Sequence, residues 1–313
     1  MLRHAALALL IASPLALGCS ASADGGGGDT DASVPSDSPP SDSATPTDGA
    51  TPSDGSTGYT EALCNDTASL ADLSAAYVDS PAGIRAAAHG IVERRYPMGV
   101  AFIEAQSDAQ LGTWFRQHAT FAQILGSVDV AVHEGGHIWD LTMISSTWPY
   151  RVRDDLVIRP RRLTNFNRSE ILTLHVDAAT DSYDEVYLTG QSGAQGFNTL
   201  LDEYVQYAHS LAVKYCTRDS LGAGTRTSAR DGILTMMYYV ELYLKKARTD
   251  HPTDYAAIIG DPEHVRLIRT VWQRAEFWLN VTASIPSLGL RDTTIRTWTY
   301  APENLMEIER LPQ

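Results

Sequence analysis

The sequence predicts an α+β fold in which a small sheet is flanked by helices and followed by a mostly helical C-terminal half. Three observations carry that expectation. Apolar residues recur at helical spacing on both sides of a short region, residues 150–190, whose patterning is strand-like. Hydrophobic residues make up 43% of the 313-residue chain, enough for a sizeable core. No internal repeat and no second linker interrupts residues 59–313, which therefore read as one domain.

Taken in order, Asp72 to Ala88 is weakly helical, with interruptions at Pro81 and Gly83. Met98 to Ile103 is a short apolar run suited to a buried strand. Ser107 to Gln110 has the form of a capping box. Leu111, Trp114, Phe115, Ala122 and Leu125 then predict a helix over 108–125 that Gly126 breaks. Ser127 is placed to cap a second helix over 128–145, before Trp148-Pro149. Arg151 to Ile158 predicts two short strands around Asp154-Asp155, Ile171 to Val176 another, and Glu185 to Leu188 an edge piece. The glycine-rich stretch Gly190–Gly196 leads into a helix from Phe197 to Cys216, with further helices over 227–247 and 262–280. Met236 to Tyr239 read as helix–helix core.

Residues 1–58 differ in kind. A short basic start at Arg3 precedes an apolar run from Ala5 to Leu17, the pattern of a secretory signal peptide. The run ends in Leu15-Ala16-Leu17-Gly18-Cys19, which resembles a bacterial lipobox, so residues 1–19 are expected to leave a lipid on Cys19. An ordinary cleaved signal is the alternative. Residues 20–58 contain only Ser, Ala, Asp, Gly, Thr, Pro and one Val. Such a segment cannot bury a core and predicts a disordered spacer that holds the domain off a membrane. Cys64 and Cys216 then remain as an even pair in an oxidising compartment, and a disulfide between them is expected.

The net charge is −14, and seven Asp against one Arg place much of it in the first 58 residues. An acidic chain without clustered Lys and Arg excludes a nucleic-acid partner. Arg159-Pro160-Arg161-Arg162 is too short to supply such a surface. The Gly190–Gly196 loop lacks the Lys of a phosphate-binding loop.

His133-Glu134-Gly135-Gly136-His137 carries the chemistry. Two His at i and i+4 project from one helix face, so both imidazoles reach one zinc ion. Glu134 is placed to accept a proton from the attacking water. Two consecutive glycines cost a helix roughly 1 kcal/mol each against Ala, which points to a close approach of backbone or substrate. This pentapeptide is similar to the HExxH signature of zincin metallopeptidases. The resemblance implies a zincin-like fold, bound Zn2+ and peptide hydrolysis. Asp140 and Met143 stand where the metzincin branch has Gly and His, and the aspzincin motif is absent. The gluzincin arrangement, with a Glu from a later helix, fits better, and Glu203 is its candidate.

Glu203 is weighed against Asp202, His209 and His175. On the 197–216 helix Leu200, Tyr207 and Leu211 share its stripe. A carboxylate there is costly unless paired or metal-bound. Asp202, about 100° round the helix, is expected to stay solvated near Gln206 and His209, and its loss to leave zinc affinity unchanged. Asp140 is a possible acceptor for a ligand imidazole. Tyr207 is assigned either to hydrogen-bond Glu203 or to stabilise an oxyanion, with Tyr183 and Tyr187 as alternatives and a plain core aromatic as the structural reading. The function expected is a surface-tethered zinc metallopeptidase acting on a peptide or protein substrate. Its alternatives are a binding lipoprotein without turnover and a zinc hydrolase of a cell-wall amide.

Overall fold

The computed structural model describes residues 59–115, 119–175 and 182–313. Residues 1–58, with the signal peptide, lipidation site at Cys19 and linker expected there, lie outside the described residues. The chain begins with α1 (Ala71–Ala76), α2 (Pro81–Arg95), α3 (Val100–Glu104) and α4 (Asp108–Phe115). Next come α5 (Phe121–Thr142) and a hairpin of β1 (Tyr150–Arg153) and β2 (Leu156–Ile158). After α6 (Ser182–Tyr187) and α7 (Gly190–Gly193) follow α8 (Phe197–Cys216), α9 (Ala229–Asp250), α10 (Pro252–Ile259) and α11 (Pro262–Val281). Short helices α12 (Asp292–Thr299) and α13 (Pro302–Glu309) close the chain. The architecture is mostly helical with a small antiparallel sheet, broadly α+β.

Several local signals act as the sequence suggests. The Asp72–Ala88 stretch does break before Pro81, which opens α2 with Ser80 accepting from Gly83 N, but Gly83 itself interrupts nothing and α2 runs on to Arg95. Ser107 and Gln110 bond reciprocally at the start of α4. The hairpin turns at Asp154-Asp155, pairing Tyr150 with Ile158 and Arg151 with Val157.

Other expectations are corrected. Met98 to Ile103 is not a strand: a 3₁₀ turn (Pro97–Gly99) runs into α3, where Phe102 and Ile103 are fully buried. A short apolar run suits a buried helix as well as a buried strand, and packing decides. Arg168–Thr173 is a 3₁₀ turn, and residues 182–187 form a helix. In place of one helix over 108–125, the described residues show α4 over Asp108–Phe115 and then α5, which starts at Phe121 rather than at 128. Its cap is Thr120, in a reciprocal capping box with Gln123, and neither Gly126 nor Ser127 interrupts it. Gly126 costs a helix roughly 1 kcal/mol, which the burial of Ile124, Val128, Ala131 and Val132 outweighs.

The core is organised around α8 and α9. In α8 every residue but Thr199 and Tyr215 is buried, and α9 is buried from Arg230 to Leu244. Helices covered all round are central helices. Around them pack α5, α11 and the C-terminal helices, with Trp278, Tyr204, Tyr239 and Tyr243 among the largest buried side chains.

The start of the domain is clasped down. The Glu61 side chain is 2% exposed and receives Arg274 Nε at 2.7 Å and Nη2 at 3.0 Å, together with Tyr59 Oη and Trp278 Nε1. Cys64 and Cys216 lie at disulfide distance, with Cα atoms 5.7 Å apart. Arg218 pairs with Asp66, and Arg95 donates to the Ala68 carbonyl.

Glu241, in the middle of α9, is fully buried and neither of its carboxylate oxygens has a hydrogen-bond partner. Burial, reinforced by Glu307, pushes its carboxyl up to about 10. The unfolded carboxyl titrates near 4.3. Between these values the folded state holds the extra proton, so stability falls as pH rises. Glu241→Gln is therefore expected to raise the melting temperature, by an amount that grows from pH 5 to pH 8. Thermal melts at those two pH values check this, and a pH-independent difference would reject it.

Candidate metal centre

Helices α5 and α8 run antiparallel and meet along a seam of paired polar side chains. Lys214 Nζ lies 2.6 Å from Asp129 Oδ1. One turn further along α5, His133 Nδ1 is 2.9 Å from Ser210 Oγ. A turn beyond that, His137 meets Asp202 and Glu203, and Asp140 meets Gln206. All these residues are buried. The two glycines of the motif permit this closeness. A Cβ on Gly136 would overlap the Gln206 side-chain amide, and one on Gly135 would overlap the Phe102 carbonyl of α3. The close approach is thus made by protein, at both positions.

At the centre of the seam three acceptor atoms converge. His133 Nε2 and His137 Nε2 are 3.1 Å apart, and each lies 3.4 Å from Glu203 Oε2. The side chains are 4% to 7% exposed. Ser210 gives its hydroxyl proton to the Gln206 carbonyl at 3.1 Å, so it accepts Nδ1–H from His133. His137 Nδ1 donates to Asp202 Oδ2 at 2.9 Å. With Nδ1 as the donor, each ring in its neutral form turns the lone pair of Nε2 towards Glu203 Oε2, which has no hydrogen-bond partner of its own. Three lone pairs facing one another in a dry site repel unless a proton or a metal ion lies between them. Burial opposes a proton on His137, but the carboxylates of Asp202 and Glu203 outweigh it and raise the ring well above the ordinary range. Burial would likewise raise Glu203, yet His137 and His133 hold its carboxyl below the usual carboxylate range. The donor set fits a metal: bonds of about 2.0–2.1 Å in tetrahedral geometry place ligand atoms roughly 3.3–3.4 Å apart. Among the described residues, His133, His137 and Glu203 are the group whose atoms could hold an ion.

Glu134, 5% exposed, lies beside this group. Burial pushes its carboxyl up, and the two imidazoles pull it only part of the way back. A carboxylate so raised is suited to taking up a proton. Tyr207 lies edge-on to His133, ring centroids 4.8 Å apart, and its hydroxyl is 2.6 Å from that of Tyr187. Tyr183 directs its hydroxyl to the Ser228 carbonyl.

Two assignments are corrected. Asp202 is not solvated: it is 3% exposed and holds His137, because α8 has no solvent face for it to occupy. Asp140 does not accept directly from a ligand imidazole. It accepts from Arg151 N and Gln206 Nε2, and burial together with the neighbouring Asp202 raises its carboxyl far above the ordinary range. Asp140 and Asp202 share Gln206 Nε2 as a donor, so Asp140 stands one step behind His137. His209 lies elsewhere, between Tyr96 Oη and the Arg151 carbonyl, and burial beside Arg274 keeps it neutral. His175 faces Asp184, Tyr238 and Trp298. Ser210 and Gln206 were missed by sequence reasoning, although both fall one or two turns beyond Glu203 on the same helix.

Comparison with protein-family models, with curated proteins and with solved structures finds no match to this chain.

Proposed function

We propose that the protein is a zinc metallopeptidase of the zincin kind, carried at the cell surface by a lipid on Cys19 and a flexible linker over residues 20–58. One observation carries the reading: donor atoms of His133, His137 and Glu203 converge on one point, while Ser210 and Asp202 are placed to accept the two Nδ1 hydrogens and leave each Nε2 facing that point. His133, His137 and Glu203 are the zinc ligands. Zinc, when bound, supplies Lewis acidity to a water and to the substrate carbonyl. Glu134 takes a proton from the water that attacks the peptide carbonyl and passes it to the leaving nitrogen. Its burial among the imidazoles supports that role. Tyr207, steadied by Tyr187 and set against His133, is the donor proposed for the developing oxyanion.

The purified protein is expected to hold one zinc per chain and to cleave a mixed peptide library. Metal analysis after dialysis and mass spectrometry of the library test this. A chain that binds no zinc from a buffered supply rejects the metal assignment. Zinc binding without cleavage leaves a metal-containing binding protein in its place.

A further inference from the structure

Asp202, Gln206 and Ser210 follow one another at four-residue spacing on α8 and form one buried stripe against α5. The outer two each face the Nδ1 of a ligand imidazole, Asp202 at 2.9 Å from His137 and Ser210 at 2.9 Å from His133. Gln206, fully buried, lies between them. Its carbonyl accepts the Ser210 hydroxyl at 3.1 Å. Its side-chain Nε2 lies 3.0 Å from Asp140 Oδ2 and 3.3 Å from Asp202 Oδ1. Asp140 accepts in turn from Arg151 N, in the hairpin, at 3.2 Å. One side chain thus joins the hairpin to the carboxylate that holds His137.

Charge fixes which way the amide points. Turned over, it would set Oε1 against two acidic side chains, whereas Nε2 has one hydrogen for each. Oε1 is thereby turned back onto α5, into the space that a side chain at position 136 would need. A Cβ there would overlap both Oε1 and the amide carbon. The far end of a glutamine ordinarily swings away from such a contact at little cost. Here swinging away gives up both bonds and takes a donor from each of two buried acids. Gly136 and Gln206 are therefore a matched pair across the seam.

We infer that Gln206 is a positioning residue of the metal centre: it holds Asp202 so that Asp202 holds His137, and position 136 is glycine to make room for it. This role rests on the metal reading and is independent of whether the protein cleaves peptides. The side chain acts on one imidazole alone. His133 is served through Ser210 by the Gln206 carbonyl, which stays whatever side chain position 206 carries.

The test is zinc affinity of the full chain, measured by chelator competition in a double-mutant cycle. Gln206→Leu removes the donor and keeps most of the volume. It is expected to weaken zinc binding about tenfold in the wild-type background, the lower end of the cost of losing such an outer partner. In an Asp202→Ala background, where no carboxylate is left to hold, the same change should cost no more than about twofold. Gly136→Ala displaces the same amide, and it gives the same two results if Gln206→Leu does not fold. Adding Gln206→Ala to Gly136→Ala relieves the overlap, so the melting temperature should recover while the zinc affinity stays low. Wild-type affinity in Gln206→Leu overturns the role, as does recovery of affinity in the Gly136→Ala, Gln206→Ala pair. Equal losses in both backgrounds also overturn it, because position 206 would then act through packing rather than through Asp202. These three outcomes leave the metal reading standing. A wild type that takes up no zinc overturns both.

Discussion

Glu134→Gln is expected to lower peptide hydrolysis by roughly a thousandfold while leaving zinc stoichiometry unchanged. The substitution keeps the size and polarity of the side chain but removes its capacity to take a proton. Glu134 sits within the buried group yet is not one of the three residues whose donor atoms converge, so the metal should stay. Parallel measurement of metal content and cleavage rate decides the matter. Equal rates in the two proteins would show that another group accepts the proton, and loss of zinc would show that Glu134 belongs to the ligand set.

Glu203→Ala should weaken zinc binding most, because it removes one of three ligands. Asp202→Ala is expected to weaken it by roughly 10- to 100-fold, the usual effect of removing the group that orients a metal-bound imidazole. This differs from the expectation drawn from helix phase, in which Asp202 was solvated and dispensable. Without Asp202, His137 loses the acceptor that holds its Nδ1 hydrogen at 2.9 Å, and the ring is free to turn or to change tautomer. Asp202→Asn, whose amide oxygen can still accept that hydrogen, should fall between wild type and Asp202→Ala. Chelator competition gives the three affinities. Wild-type affinity in Asp202→Ala would mean that the His137 ring is fixed by its packing alone.

The contrast between Glu203 and Asp202 shows what the sequence could reveal. The i, i+4 spacing of His133 and His137 placed two imidazoles on one face without reference to anything distant, and the structure brings them together. Glu203 was reachable because a carboxylate among Leu200, Tyr207 and Leu211 needs a partner. Its neighbour was not, because the phase of an amphipathic helix presumes a solvent side. In α8 that side is filled by α5, the hairpin and α11, so Asp202, Gln206 and His209 are all buried and each must find a specific partner. The same limit explains the strands assigned at 98–103 and 185–188. Short apolar runs report burial, and only the surrounding helices decide the backbone form. The capping signals at Ser107, by contrast, are local chemistry and were legible directly, as were the bounds of α8.

Under the proposed N-terminal tether, the clasp at the start of the domain has a mechanical consequence. A pull along residues 1–58 reaches the fold at Tyr59 and is met within a few residues by Glu61 on Arg274 and by Cys64 on Cys216. Cys216 is the last residue of α8, 13 residues beyond Glu203, or about 20 Å along the helix at 1.5 Å per residue. Tension is therefore divided between α11 and the far end of α8, and runs into α8 along its axis rather than across the seam where the three donor atoms meet.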